Sequence, residues 1–80
     1  MIKTHEITLY TSQFSKFVSN NFLIVENNDY NINDYILVKE IETVGEETKE
    51  TGLHRMTRIT EVVTNEGLKD GYVLLTLVKL

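Results

Sequence analysis

The chain has no cysteine, no proline and no tryptophan, and only four glycines among its 80 residues. Without cysteine it can form neither a disulfide nor a thiolate metal site. Its two histidines, His5 and His54, stand far apart without ligand spacing, so no metal and no cofactor are expected. No apolar run approaches the roughly 20 residues of a membrane-spanning helix. The first residues lack the basic-then-apolar order of a secretion signal, so a cytoplasmic protein with no membrane partner is expected. The lack of proline leaves every residue after the first able to donate a backbone hydrogen bond, which suits sheet ladders. Serine occurs only at positions 12, 15 and 19, no Ser-His-acid set can be drawn, and the glycines are too scattered to cradle phosphate. No catalytic residue is assigned. Glu26, just after an apolar run, is the one carboxylate whose position suits a buried acid.

Basic residues are also scarce. Eight lysines and arginines face twelve acidic side chains, for a net charge of −4. That balance argues against tight, nonspecific nucleic-acid binding, although a local basic patch is compatible with it. The length bounds the chain to one domain, 1–80, and the apolar share of 41% to one small core.

The segment from Gly67 to Leu77 organises what is there. Two glycines bracket a polar turn, and an apolar run follows. Tyr72, Leu74 and Val78 fall on one face of the resulting strand and Val73, Leu75 and Leu77 on the other, so cover is expected over both faces. At the other end, Thr4 to Tyr10 alternates as a half-buried strand, with His5, Ile7 and Leu9 on its apolar side. The spacing of Phe14, Phe17 and Val18 predicts a short helix from Thr11 to Asn20, N-capped by Thr11 or Ser12 and ended by Asn20-Asn21. Gln13, Ser15 and Lys16 take its wet side.

Phe22 to Val25 reads as a buried strand. Glu26 to Asn33 reads as an Asn/Asp-rich loop pinned by Tyr30 and Ile32. A strand from Tyr35 to Glu42 follows, its second half emerging into water. Val44 to Gly52, rich in glutamate, is expected as a protruding, mobile hairpin loop. Leu53 to Val63 is the longest strand candidate, with His54, Met56 and Arg58 on one face and Arg55 on the other. Thr64 to Asp70 connects it to the closing strand.

Three segments, Lys3-Thr4-His5-Glu6-Ile7, Asp29 to Leu37 and Gly67 to Leu75, occur in an order that resembles the small ASCH-type domains of the PUA-like superfamily, widespread in bacteria and phages. The resemblance implies a mainly β, α+β fold: a compact mixed-strand β-barrel with one short helix after the first strand. It also implies RNA binding or RNA modification, and some relatives hydrolyse an acetylated cytidine with a lysine, a threonine and a glutamate. The family pattern has glycine where Asn33 stands. More consequentially, its Gly-x-Lys-x-x-Glu-x-Arg after the helix is missing. With Asn20 at the glycine place, Phe22, Val25 and Asn27 replace the lysine, glutamate and arginine. Sliding the match so that Glu26 is the glutamate puts Leu23 at the lysine. No amidohydrolase activity is therefore expected. His5, Asp34 and Tyr72 match family positions and are the candidates for a residual ligand pocket; Arg55 and Arg58 are the candidates for contact with phosphate.

The expected function is a weak single-stranded RNA- or nucleotide-binding module with a degenerate pocket. The alternatives are an accessory protein that binds another protein, and a pocket hydrolase acting on a modified nucleoside. A basic strip beside a cleft favours the first, an exposed apolar patch the second, and a buried carboxylate near His5 in a closed pocket the third.

Overall fold

In the computed structural model, which describes residues 1–64 and 67–80, the alternating segment Thr4–Tyr10 forms strand β1 and the Phe14/Phe17/Val18 stripe forms helix α1, Thr11–Asn20. Strands β2 (Phe22–Glu26), β3 (Tyr35–Val44), β4 (Glu47–Val63) and β5 (Tyr72–Lys79) follow. The connection read over Thr64 to Asp70 includes Asn65 and Glu66, which lie outside the described residues. The mainly β character, the mixed strand directions and the single short helix after the first strand agree with expectation. The one described helix is not long and apolar enough to cross a membrane.

The strands form one five-stranded sheet in the order β1-β3-β4-β5-β2. β1 runs parallel to β3, and the other neighbours pair antiparallel. Adjacent parallel strands need a long crossover, and the segment 11–34 supplies it. That crossover lays α1 over one face of the sheet and takes β2 to the edge opposite β1.

The inner face meets the helix. Phe14 and Phe17 pack with Leu23, Ile36, Val38, Ile59, Val73, Leu75 and Leu77, all buried. Thr57 is fully buried there too, its hydroxyl donating to the Ile36 carbonyl at 2.9 Å. The helix ends are satisfied from different sources. At the start, Tyr10 is the cap and its N–H donates to Gln13 Oε1 at 3.2 Å, so Thr11 and Ser12 lie in the first turn and not at the cap. At the end, Asn21 takes a left-handed φ of 59° and its N–H donates to the Phe17 carbonyl at 3.0 Å. The Lys79 ammonium, arriving from β5, donates to the Val18 carbonyl and sits 5.9 Å from the centroid of the Phe17 ring. A cation at this end opposes the negative pole of the helix dipole.

Several expectations are corrected. Val44 to Gly52 is a hairpin, as expected, but a paired one and not a loop. It forms a paired ribbon, with Glu42 opposite Lys49, Thr43 opposite Thr48 and Val44 opposite Glu47, so β4 begins at Glu47 and not at Leu53. Gly45 at φ 65° opens the two-residue turn, as a type II′ hairpin requires. The ribbon is polar on both sides because it runs beyond the core, and cross-strand pairs hold it there.

Glu40 does not emerge into water. It is only 6% exposed, at a register shift where β4 bulges, and accepts the Thr51 hydroxyl at 2.6 Å. Ile32 is 57% exposed and pins nothing. Glu26 ends β2 exposed and is no buried acid. Cover over both faces of β5 is also not found. Val73, Leu75 and Leu77 are buried under α1, whereas Tyr72 and Leu74 are half-buried and Val78 exposed, with no described element above them.

Leu75 is central to this core and fully buried. Replacing it with alanine is expected to cost about 2–5 kcal/mol. Equilibrium urea unfolding measures this, and a midpoint equal to the parent's would mean that the residue is not core.

Candidate functional site

Two places in the fold bring polar side chains together. The first is the turn that feeds β3. Asp29 and Asn33 both take left-handed φ values, 56° and 78°, so the chain folds back on itself; Asn33 adopts here a conformation that glycine takes at no steric cost. The turn points the Asp34 carboxylate inward, where it is 1% exposed. Oδ1 accepts the Lys3 N–H at 3.0 Å. Oδ2 accepts His5 Nε2–H at 2.9 Å and the Asn31 N–H at 3.2 Å. The His5 ring stands edge-on to Tyr30, centroids 4.7 Å apart. Burial in turn pushes the Tyr30 hydroxyl above its usual range.

The hydrogen bond from His5, and then that from the Lys3 backbone, hold the Asp34 carboxyl down at about 2, against the opposing effect of burial. The group is therefore an anion at any ordinary pH, with its acceptor positions occupied. Such a carboxylate neither donates nor takes a proton in catalysis. No hydroxyl is hydrogen-bonded to His5 among the described residues, so no nucleophile completes the pair. His5, expected on the apolar side of its strand, is placed there and has a carboxylate as its partner.

The other sequence candidates do not join this pair. Tyr72 begins β5 on the outer face, opposite Glu26, with the Lys69 ammonium 5.6 Å from its ring centroid. Leu77, the β5 residue level with Ile59, lies five positions further on, about 16 Å away at the rise of a strand. Arg58 lies on the outer face between Tyr35 and Val78, while Arg55, three residues before it, is opposite Val38 on the other face. Both arginines are exposed, and they do not form one basic strip.

The second place was not anticipated. A groove of about 260 Å³ lies between α1 and β2, with Leu9 of β1 also in its lining. Phe17 and Leu23 line it from the core, and Phe22 and Ile24 flank it on β2. Gln13, Lys16 and Asn20 supply its polar lining, spaced i, i+3, i+7 along one stripe of the helix. Gln13 Oε1 is engaged by the Tyr10 N–H, and Asn20 Nδ2 donates to the Lys16 carbonyl at 2.8 Å. Gln13 Nε2 and Asn20 Oδ1 therefore remain without a partner among the described residues: one donor and one acceptor beside two aromatic rings and one ammonium. The sequence did carry a trace of this, the polar stripe 13/16/20 next to an apolar run that begins at Phe22. Among the described residues, no three His, Asp or Glu side chains are grouped to hold a metal ion.

The sequence matches no family model and no curated protein.

The Asp34 geometry predicts a specific pH dependence. Its folded value of about 2 lies below the unencumbered 3.8, so the stability it contributes is present above 3.8 and is lost as the pH falls toward 2. Asp34→Asn should therefore be less stable than the parent at neutral pH, and the gap should narrow between pH 4 and about pH 2. Denaturant midpoints of both proteins across that range provide the test. A gap independent of pH would show that the charge of Asp34 contributes nothing.

Proposed function

We propose that the chain is a binding module of the ASCH/PUA-like β-barrel type that takes one unstacked base of a single-stranded RNA or of a free nucleotide in the α1–β2 groove. The observation that carries this reading is the groove's lining. Phe22 offers an exposed aromatic face at its edge, and Gln13 and Asn20 offer one free donor and one free acceptor for a base edge. Lys16 is the one ammonium in the lining and suits a single phosphate. Pockets for drug-sized ligands run from about 300 Å³ upward, so a groove slightly smaller than that suits a single ring system. Recognition of single strands by stacking plus edge hydrogen bonds has this form. The reading places the phosphate contact at Lys16, not at Arg55 and Arg58, whose side chains lie on opposite faces of β4.

The charge balance limits the affinity. With a net charge of −4 and one lysine at the groove, few counterions are released on binding. A dissociation constant on the order of 10⁻⁴ M is expected, with a shallow salt dependence equivalent to about one or two phosphates.

Amide shifts followed by NMR during titration with short single-stranded RNA, and separately with nucleoside monophosphates, test this. The shifts should centre on Gln13, Lys16, Asn20 and Phe22. Phe22→Ala should cost about 1–3 kcal/mol of binding, as loss of one stacked base does. Shifts confined to the surface around Arg58 and Tyr35, or none with either titrant, would overturn the assignment.

A further inference from the structure

We propose that the outer face of the sheet is the interface of a two-fold symmetric homodimer, in which each copy supplies the second layer that the other's sheet lacks. A sheet that is apolar on both faces is stable when something covers each. Here α1 covers the inner face only. On the outer face Ile24, Leu74 and Val63 lie side by side across β2, β5 and β4. Val78 and Tyr35 flank Arg58 across β5, β4 and β3, and Met56 continues the apolar surface beside them. Ile24 is 51% exposed and Val78 39%, although both belong to strands whose alternate residues form the core.

The two charges in the middle of this face identify the occupant, while Glu26, exposed at the end of the edge strand opposite Tyr72, stays in water at the rim. Arg58 and Glu61 both point outward from β4, because the register shift between Ile59 and Glu61 returns Glu61 to the face of Arg58. Neither forms an ion pair among the described residues. An acidic partner would pair with Arg58 and strand Glu61, and a basic partner would do the reverse. A second copy turned about a two-fold axis between the two positions sets each Arg58 against the other copy's Glu61. Both charges are then satisfied, as an isologous interface requires. The acidic excess of the chain lies elsewhere, largely on the β3–β4 ribbon, where Glu42, Glu46, Glu47 and Glu50 outnumber Lys49.

The face is modest in extent, so the dimer belongs among interfaces that dissociate on dilution. Sedimentation velocity of the whole chain should show the mass rising from 9.3 kDa toward twice that value with concentration, half-converted on the order of 10–100 µM. Val78→Glu, which places a carboxylate opposite Arg58 within the same chain, should remain monomeric while keeping the parent's circular dichroism. Arg58→Glu and Glu61→Arg should each weaken association about tenfold or more, and the two together should restore it. Glu47→Lys, at the tip of the ribbon, should leave it unchanged. A parent that stays monomeric throughout, a Val78→Glu variant that associates like the parent, or a double reversal that fails to recover would each overturn the proposal. Ile24 borders both surfaces, but Val78, Arg58 and Glu61 do not line the groove, so their variants test dimerisation while leaving the groove residues Gln13, Lys16 and Asn20 in place.

Discussion

A buried carboxylate can persist in a small protein only when its acceptor positions are filled, and Asp34 meets that condition with three groups from two parts of the chain. The Lys3 N–H and the His5 ring come from the start of the first strand, and the Asn31 N–H from the turn. The backbone at the same point is equally committed. The Asp34 carbonyl accepts from Ile59, the Asn33 N–H donates to the Ile59 carbonyl, and Tyr35 donates to the Lys3 carbonyl. One residue thereby sets the register of the parallel β1–β3 pair and its alignment with β4. Parallel pairing without a tight turn has little local information to specify it. A side-chain anchor at the level where β1 and β3 both begin provides that information.

From that registration follows the single helical layer. The crossover must carry the chain from β1 to β2 at the far edge of the sheet, and α1 is the part of it that packs. Ten residues of helix present two phenylalanines and a valine to the inner face, with Lys79 holding the C-terminal end. No second helix exists among the described residues for the outer face, which keeps its apolar rows in water. A small chain thus has two surfaces left over, the groove beside the helix and the outer face. They differ in chemistry: one is a narrow slot with amide groups, the other an apolar sheet face with Arg58 and Glu61 near its middle and Glu26 at its rim.

Electrostatics separates what each surface can take. The acidic excess sits on the hairpin ribbon, where it keeps that ribbon hydrated and disfavours long polyanions. Lys39 is already shared between Glu6 and Glu50, whose carboxylates raise its pKa, so it is not a free cation for a ligand. What remains near the groove is a lysine with two amides, suited to one small ligand unit.

Local periodicity was enough to place β1, α1 and the buried side of β5, since alternation by two and a stripe at three and four are properties of neighbouring residues. The turn of Asn and Asp residues was also legible, and Asn33 takes the left-handed conformation that such residues tolerate. Composition misled at the ribbon, because a strand that leaves the core has no apolar face to announce it. It misled again at Glu40, because the burial of a carboxylate depends on a bulge and on Thr51, eleven residues away. The opposite facing of Arg55 and Arg58 already followed from strand alternation, whereas the partner of His5, the edge position of β2 and the groove it forms with Gln13, Lys16 and Asn20 were decided only in three dimensions. Each depends on which distant segments become neighbours. That is set by the crossover and by strand registration across the sheet, which no short stretch of the chain encodes by itself.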